Sequence, residues 1–409
     1  MRFLFISAQL PGHLDWGGYL QTAVELQRQG HDVLWASGRE VAPLVTAMKV
    51  PFHGLTETGW RWPPPPPLPS TPEADPGALQ QLRAERALDQ WLDEARVERA
   101  CVELIEVGRA YQPQLIVSEM FVSAAGLAAE ALAVPFVVAG WPAMQPKVAA
   151  GQTMLSDLAR ARLQRLCARF NLTGSNWTPS GPPALLSPQL HLTYWSPTWY
   201  GDLPLLAQTR HVGGVAPTTV PQAPPWSQDN PWVFITLGTS FGQDLNFFSA
   251  ATQAATTLGC MPILALAGQL TASQREALQD QLPADAVVQE QVDLNAVLPA
   301  VAAAIHHGGA GVTHALVTHA VPQIVVPHAA DQGHQAQGIM RSGIGIHLPA
   351  KETTIPRLVN ALAQILPDRS PYRANAEKLR AEFATLGGVP FAAQWLIEAA
   401  VDYKSIVEQ

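Results

Sequence analysis

With 409 residues, 47% of them hydrophobic and 14% charged, the chain is long enough for two ordinary cores and too apolar to be disordered. Its formal charge of −8 leaves no basic stripe to neutralise phosphates, which excludes a nucleic-acid binder. No apolar run approaches the ~18 residues that span a bilayer, and the start, "MRFLFISAQLPGH", is too short in apolar residues for a signal peptide, so a soluble, cytoplasmic protein is expected, with peripheral membrane contact left open.

In chain order, "RFLFIS" (2–7) reads as a buried first strand. Trp16, Tyr19, Leu20, Ala23, Val24 and Gln27 then mark a helical face that Gly30 stops. "HDVLWAS" (31–37), "QLIVS" (114–118) and "PFVVAG" (135–140) are further strands, and the proline-rich 61–76 between them reads as an extended surface loop, with partner binding left undecided. Cys101, Cys167 and Cys260 lie far apart and read as reduced, buried thiols. A proline-rich join at 213–230 precedes a restart of the pattern: 231–238, 261–268, 286–292, 301–307 and 321–327. Continuous apolar strands separated by helices mean parallel sheets covered on both faces. Two doubly wound α/β domains are therefore expected, residues 1–212 and 231–388 joined by the linker 213–230, with a C-terminal helix in 389–409 packing back on the first.

In open parallel sheets, ligands bind beyond the carboxyl ends of the strands. "AAIHHGGAGVTHAL" (303–316) ends a strand, places Gly308, Gly309 and Gly311 in the turn and opens a helix near Val312. Backbone N–H groups at a helix N-terminus make an anion site suited to a diphosphate, and His307 stands beside it. The run carries neither a dinucleotide fingerprint nor a P-loop ending. Asp331 and Gln332 follow the next strand, where a carboxylate and a carboxamide suit sugar hydroxyls; a helix N-cap is the plainer reading of that pair. Six of the twelve histidines fall in 306–334, but their spacing matches no zinc motif, and no D-x-D occurs.

The stretch "HHGGAGVTHALVTHAVPQIVVPHAADQ" resembles the donor signature of the UDP-glycosyltransferase family, whose fold is GT-B, two facing Rossmann-like domains with parallel sheets. "FITLGTSFG" (234–242) is similar to that family's first C-domain strand and the turn beside the diphosphate. The resemblance implies a donor site of Gly238, Thr239, Val292, His307, Gly308, Gly309, Gly311, Val312, Asp331 and Gln332. It also implies a catalytic base at His13, in the Gly12–His13 pair after the first strand, with Glu119 as its acidic partner; Asp15 is the competing candidate for the base, and a helix-start carboxylate is its plainer reading. Val312 stands where a hydroxyl residue is usual, and Gln291 where a tryptophan often precedes the nucleobase loop. Gly12, Trp16, Trp60, Trp62 and Trp141 are expected to line an apolar acceptor site. The implied activity is inverting, metal-independent transfer of a hexose from a UDP- or dTDP-sugar, with no other cofactor, to a hydroxyl of an apolar natural product or lipid. A catalytically degenerate scaffold that activates a partner, or a nucleotide-sugar epimerase, remain open alternatives, as do the acceptor, the sugar and the oligomeric state.

Overall fold

The structure is a computed structural model that describes all residues except 16, 64–74, 141–152, 180–182, 217–229, 239–243, 269, 284–285, 329–331, 368 and 408–409. Two compact units emerge: Met1–Tyr194 with Leu203–Val212 and Gly387–Gln409, and Trp195–Asp202 with Gly213–Leu386. The short segment Trp195–Asp202, which the sequence reading gives to the N-terminal domain, thus clusters with the second unit. Its tryptophans explain this: the Trp195 and Trp199 rings stack at 4.2 Å, and Trp195 packs edge-on against His314 and Phe383.

The first unit is built on seven strands: β1 (Arg2–Ile6), β2 (Asp32–Gly38), β3 (Phe52–Leu55), β4 (Leu115–Ser118), β5 (Phe136–Ala139), β6 (His191–Thr193) and β7 (Thr209–His211). They lie in the order β3-β2-β1-β4-β5-β6-β7, every pair parallel. Every residue of β4 and β5 is buried, as a strand covered by helices on both faces requires. The helix Gly388–Val407 packs on the helix Tyr19–Arg28 through a stripe of small and branched residues, with Ala392, Ala393, Leu396 and Ala400 buried. The last helix of the chain therefore completes the first unit.

The second unit carries β8 (Trp232–Thr236), β9 (Met261–Ala265), β10 (Val287–Gln289), β11 (Val301–His306), β12 (Gln323–Val325) and β13 (Gly345–His347), again all parallel, in the order β10-β9-β8-β11-β12-β13. In both sheets the order reverses beside the first strand. The turning points lie between β1 and β4 and between β8 and β11, where neighbouring loops diverge and leave a crevice. Among the described residues, no helix is long and apolar enough to cross a membrane.

Candidate active site

At the turning point of the first sheet, the loop after β1 enters a one-turn helix, Gly12–Asp15, that carries His13. Glu119 is the first residue after β4, and the pairing of Ile6 with Ser118 sets the two loops side by side. His13 Nδ1 lies 2.8 Å from the Glu119 carboxylate, which also accepts the Ala8 N–H at 2.6 Å. Glu119 is fully buried, while the His13 side chain keeps 13% of its surface exposed. A ring that gives Nδ1–H to a carboxylate holds its lone pair on Nε2, the arrangement of a general base. Tyr19, buried beneath the pair, donates to the carbonyls of Ile6 and Val117, tying the ends of β1 and β4 together. Burial pushes its phenol pKa up, and the Glu119 charge pushes it further.

Aromatic rings enclose His13. Trp60 stands 5.6 Å and Phe121 5.2 Å away between centroids, and these two meet edge-on at 5.3 Å. Gln9 holds Trp60 in place by donating to its carbonyl at 2.9 Å. Phe121 was missed by sequence reasoning; its position two residues after Glu119, beyond a strand end, is the signal that could have found it. Trp62 is exposed, Gly12 and Asp15 lie at the surface, and Trp16 and Trp141 fall outside the described residues.

The second sheet's turning point gathers the glycines. Gly238 follows β8 in the left-handed region at φ 61°, and Gly308 follows β11 at φ 91°. The His307 ring is clasped between Gly238 and Gly309: a Cβ on either would come within 2.5 Å of it. That ring bonds the backbone of Thr236, and its pKa is lowered to about 3, chiefly by burial and then by the neighbouring imidazoles of His306 and His328. Held neutral, the ring has a single N–H, which serves either the Thr236 backbone or an anion but not both. Gly309 caps the helix Ala310–Thr318 with no side-chain hydrogen bond, leaving the first-turn N–H groups, Gly311 and Val312 included, without a side-chain cap. The Val312 and Val292 side chains pack against the apolar cluster around Trp232 and Val297. The Thr313 hydroxyl, the nearest substitute for the one missing at 312, instead bonds the Gly309 carbonyl at 2.8 Å.

Gln332 opens the next helix, buried, and its carboxamide oxygen accepts the His328 N–H at 2.7 Å. A Cβ on Gly308 would lie 3.3 Å from the Gln332 carbonyl, so the glycine turn and the start of this helix are in contact. Asp331 and Thr239 lie outside the described residues. His328 is a further residue the sequence left unassigned: its Nδ1 donates to the Val326 carbonyl at 2.8 Å and its Nε2 is 3.8 Å from Asp244 Oδ2. The histidine-rich run disperses in space, His306 reaching Gln323, His314 the rings of Trp195 and Phe383, and His319 Asn295.

Residues 266–390 match the family model of the erythromycin biosynthesis protein CIII-like C-terminal domain. The L-demethylnoviosyl transferase of Streptomyces niveus is 27% identical over 397 residues, covering 94% of each chain. Among solved structures, the glycosyltransferase of kitacinnamycin superposes with a TM-score of 0.76 at 18% identity, over 98% of this chain and 99% of that one. Spinosyn rhamnosyltransferase SpnG complexed with thymidine diphosphate gives a TM-score of 0.72 at 24% identity, over 97% of this chain and all of the other. The two parallel sheets are those of the GT-B fold.

Proposed function

Because the chain is a glycosyltransferase of the natural-product type, we propose that it moves a hexose from a nucleotide-diphosphate sugar to a hydroxyl of an apolar acceptor, with inversion at the anomeric carbon and without a metal ion. The observation that carries this reading is the buried Glu119 carboxylate at 2.8 Å from His13 Nδ1. In the proposed step His13 Nε2 takes the acceptor's proton as its oxygen attacks the anomeric carbon. The nucleoside diphosphate leaves from the opposite face of the sugar, which inverts the centre. Glu119 steadies the imidazolium that forms.

On the donor side, the uncapped N-terminus of Ala310–Thr318 offers backbone N–H groups and the positive end of a helix dipole to the leaving diphosphate, the service a metal gives elsewhere. Gln332 keeps its carboxamide oxygen on the His328 N–H, so it would meet the sugar through its NH₂ group. The Trp60 and Phe121 rings favour an apolar acceptor beside the base. A thymidine-linked donor is the first to test, since a solved relative in fold carries thymidine diphosphate.

The test is transfer from thymidine- and uridine-diphosphate sugars to a panel of hydroxylated polyketides, with the product's anomeric configuration read by NMR. Inverted product formed equally well with and without EDTA is the expected result. Retention, or turnover abolished by EDTA and restored by a divalent ion, would overturn the mechanism.

A further inference from the structure

His306 and His307 are adjacent at the end of β11, yet they face different neighbours, as successive strand residues do. His306 is wholly buried. Its Nε2 lies 3.0 Å from Gln323 Oε1 on β12, and its Nδ1 lies 3.1 Å from the backbone nitrogen of Gly308. A backbone N–H can only donate, so Nδ1 must be the lone-pair nitrogen. The ring hydrogen therefore sits on Nε2 and is given to the Gln323 oxygen. One tautomer satisfies both contacts.

The residue it grips is the one whose conformation opens the glycine turn. Gly308 holds φ 91°, and a Cβ there would come within 2.9 Å of Val325 Cγ2, so this peptide is tightly constrained. We propose that His306 is a positioning residue for donor binding: as a neutral imidazole with its hydrogen on Nε2, it locks the Gly308 peptide and thereby fixes the array of N–H groups that follows it. Nothing in this role touches the donor; it rests on the reading of that turn as the diphosphate site. Burial supports it, holding the ring neutral down to about pH 4. Gln323 serves as the second anchor, since without an acceptor at Nε2 the ring is free to exchange tautomers and present N–H to N–H at Gly308.

The deciding comparison is His306→Leu against His306→Asn. Leucine fills similar volume but accepts no hydrogen bond. Asparagine can accept the N–H two residues on, as in an Asx-turn. Thymidine and uridine diphosphate are titrated against each variant, and backbone amide exchange at Gly308 is followed in the ligand-free proteins. The leucine variant should lose Gly308 protection and bind the diphosphate about tenfold more weakly, the worth of roughly one hydrogen bond. The asparagine variant should keep both, within about threefold. Acceptor KM should be the same in all.

Leucine binding as tightly as the wild type, or asparagine losing as much as leucine, would overturn the proposal. If the wild type bound neither diphosphate, the donor reading would fall, whereas the exchange pattern would still decide whether His306 holds Gly308. Should the leucine variant not fold, ¹⁵N-labelled histidine in the wild type gives an independent answer. A persistent Nε2–H tautomer at His306 supports the assignment, and an Nδ1–H or averaged ring refutes it.

Discussion

His13 and Glu119 are separated by 106 residues, and their pairing is what distinguishes a base from an ordinary buried imidazole. Replacing His13 by alanine should lower transfer by roughly 10²–10⁴-fold, the usual yield of general-base catalysis, with diphosphate affinity unchanged. Glu119→Gln should cost less, because it keeps an oxygen for Nδ1 and loses only the charge that stabilises the imidazolium. Rate and melting temperature measured on the same samples check this; a folded His13→Ala enzyme with full turnover would remove the residue from the mechanism. The glycines give a second prediction at this scale. Gly309 has φ −63°, which any residue adopts, so Gly309→Ala carries no backbone strain. Its methyl would nevertheless arrive 2.5 Å from His307 Nε2 and displace the ring. Calorimetric titration should find diphosphate binding at least about tenfold weaker, a loss of ~1.4 kcal/mol or more. Both residues were legible in the sequence because each follows a strand. Phe121 and His306 were not, since a lone aromatic or histidine gains meaning only from what it packs against.

Among elements, the strands read best where an apolar run marks them and worst where polar residues and glycines interrupt it. β3, β6, β7 and β13 have three or four residues each, and their histidines, glycines and threonines break any apolar run. Neighbouring strands recruit them into the sheet, and tertiary pairing outweighs local propensity there. The end of β11 carries an acid sensitivity. Burial lowers the pKa of His306 from 6.5 to about 4 and that of His307 to about 3. The unfolded chain takes up protons below 6.5 that the folded chain refuses, so this stability is fully present above that pH and is lost as pH falls toward 4. His191 on β6, lowered to about 4 by burial, adds the same trend to the first unit. Chemical denaturation at a series of pH values should show stability flat above about pH 7 and falling steadily between about 6.5 and 4. Replacing His306 by asparagine, which does not titrate, should flatten part of that slope.

At the scale of the molecule, the first unit is assembled from both ends of the chain. Leu396 is fully buried on the helix Gly388–Val407, which packs on the helix Tyr19–Arg28. Leu396→Ala should cost ~2–5 kcal/mol. Hydrogen exchange should find lost protection in Tyr19–Arg28 and β1, some 370 to 390 residues away in sequence. Protection lost only around residues 345–386 would show that the helix belongs to the second unit instead. Thymidine diphosphate at ~100 times its dissociation constant should add about 2.7 kcal/mol of stability, with the gain in protection concentrated in residues 306–313.

The sequence by itself determined that the chain forms two parallel α/β sheets, because uninterrupted apolar strands bounded by helices have no other stable arrangement in water. It also determined where chemistry could stand, because glycine turns and polar residues beyond strand ends follow from local spacing. The tertiary structure alone decided that β1 and β4, and β8 and β11, are neighbours, since strand order depends on crossovers that no local pattern records. That order brings Glu119 to His13, Gly238 against the His307 ring and Gln323 to His306. Hydrogen bonds act over about 3 Å, and only the folded chain brings residues so distant in sequence within that reach.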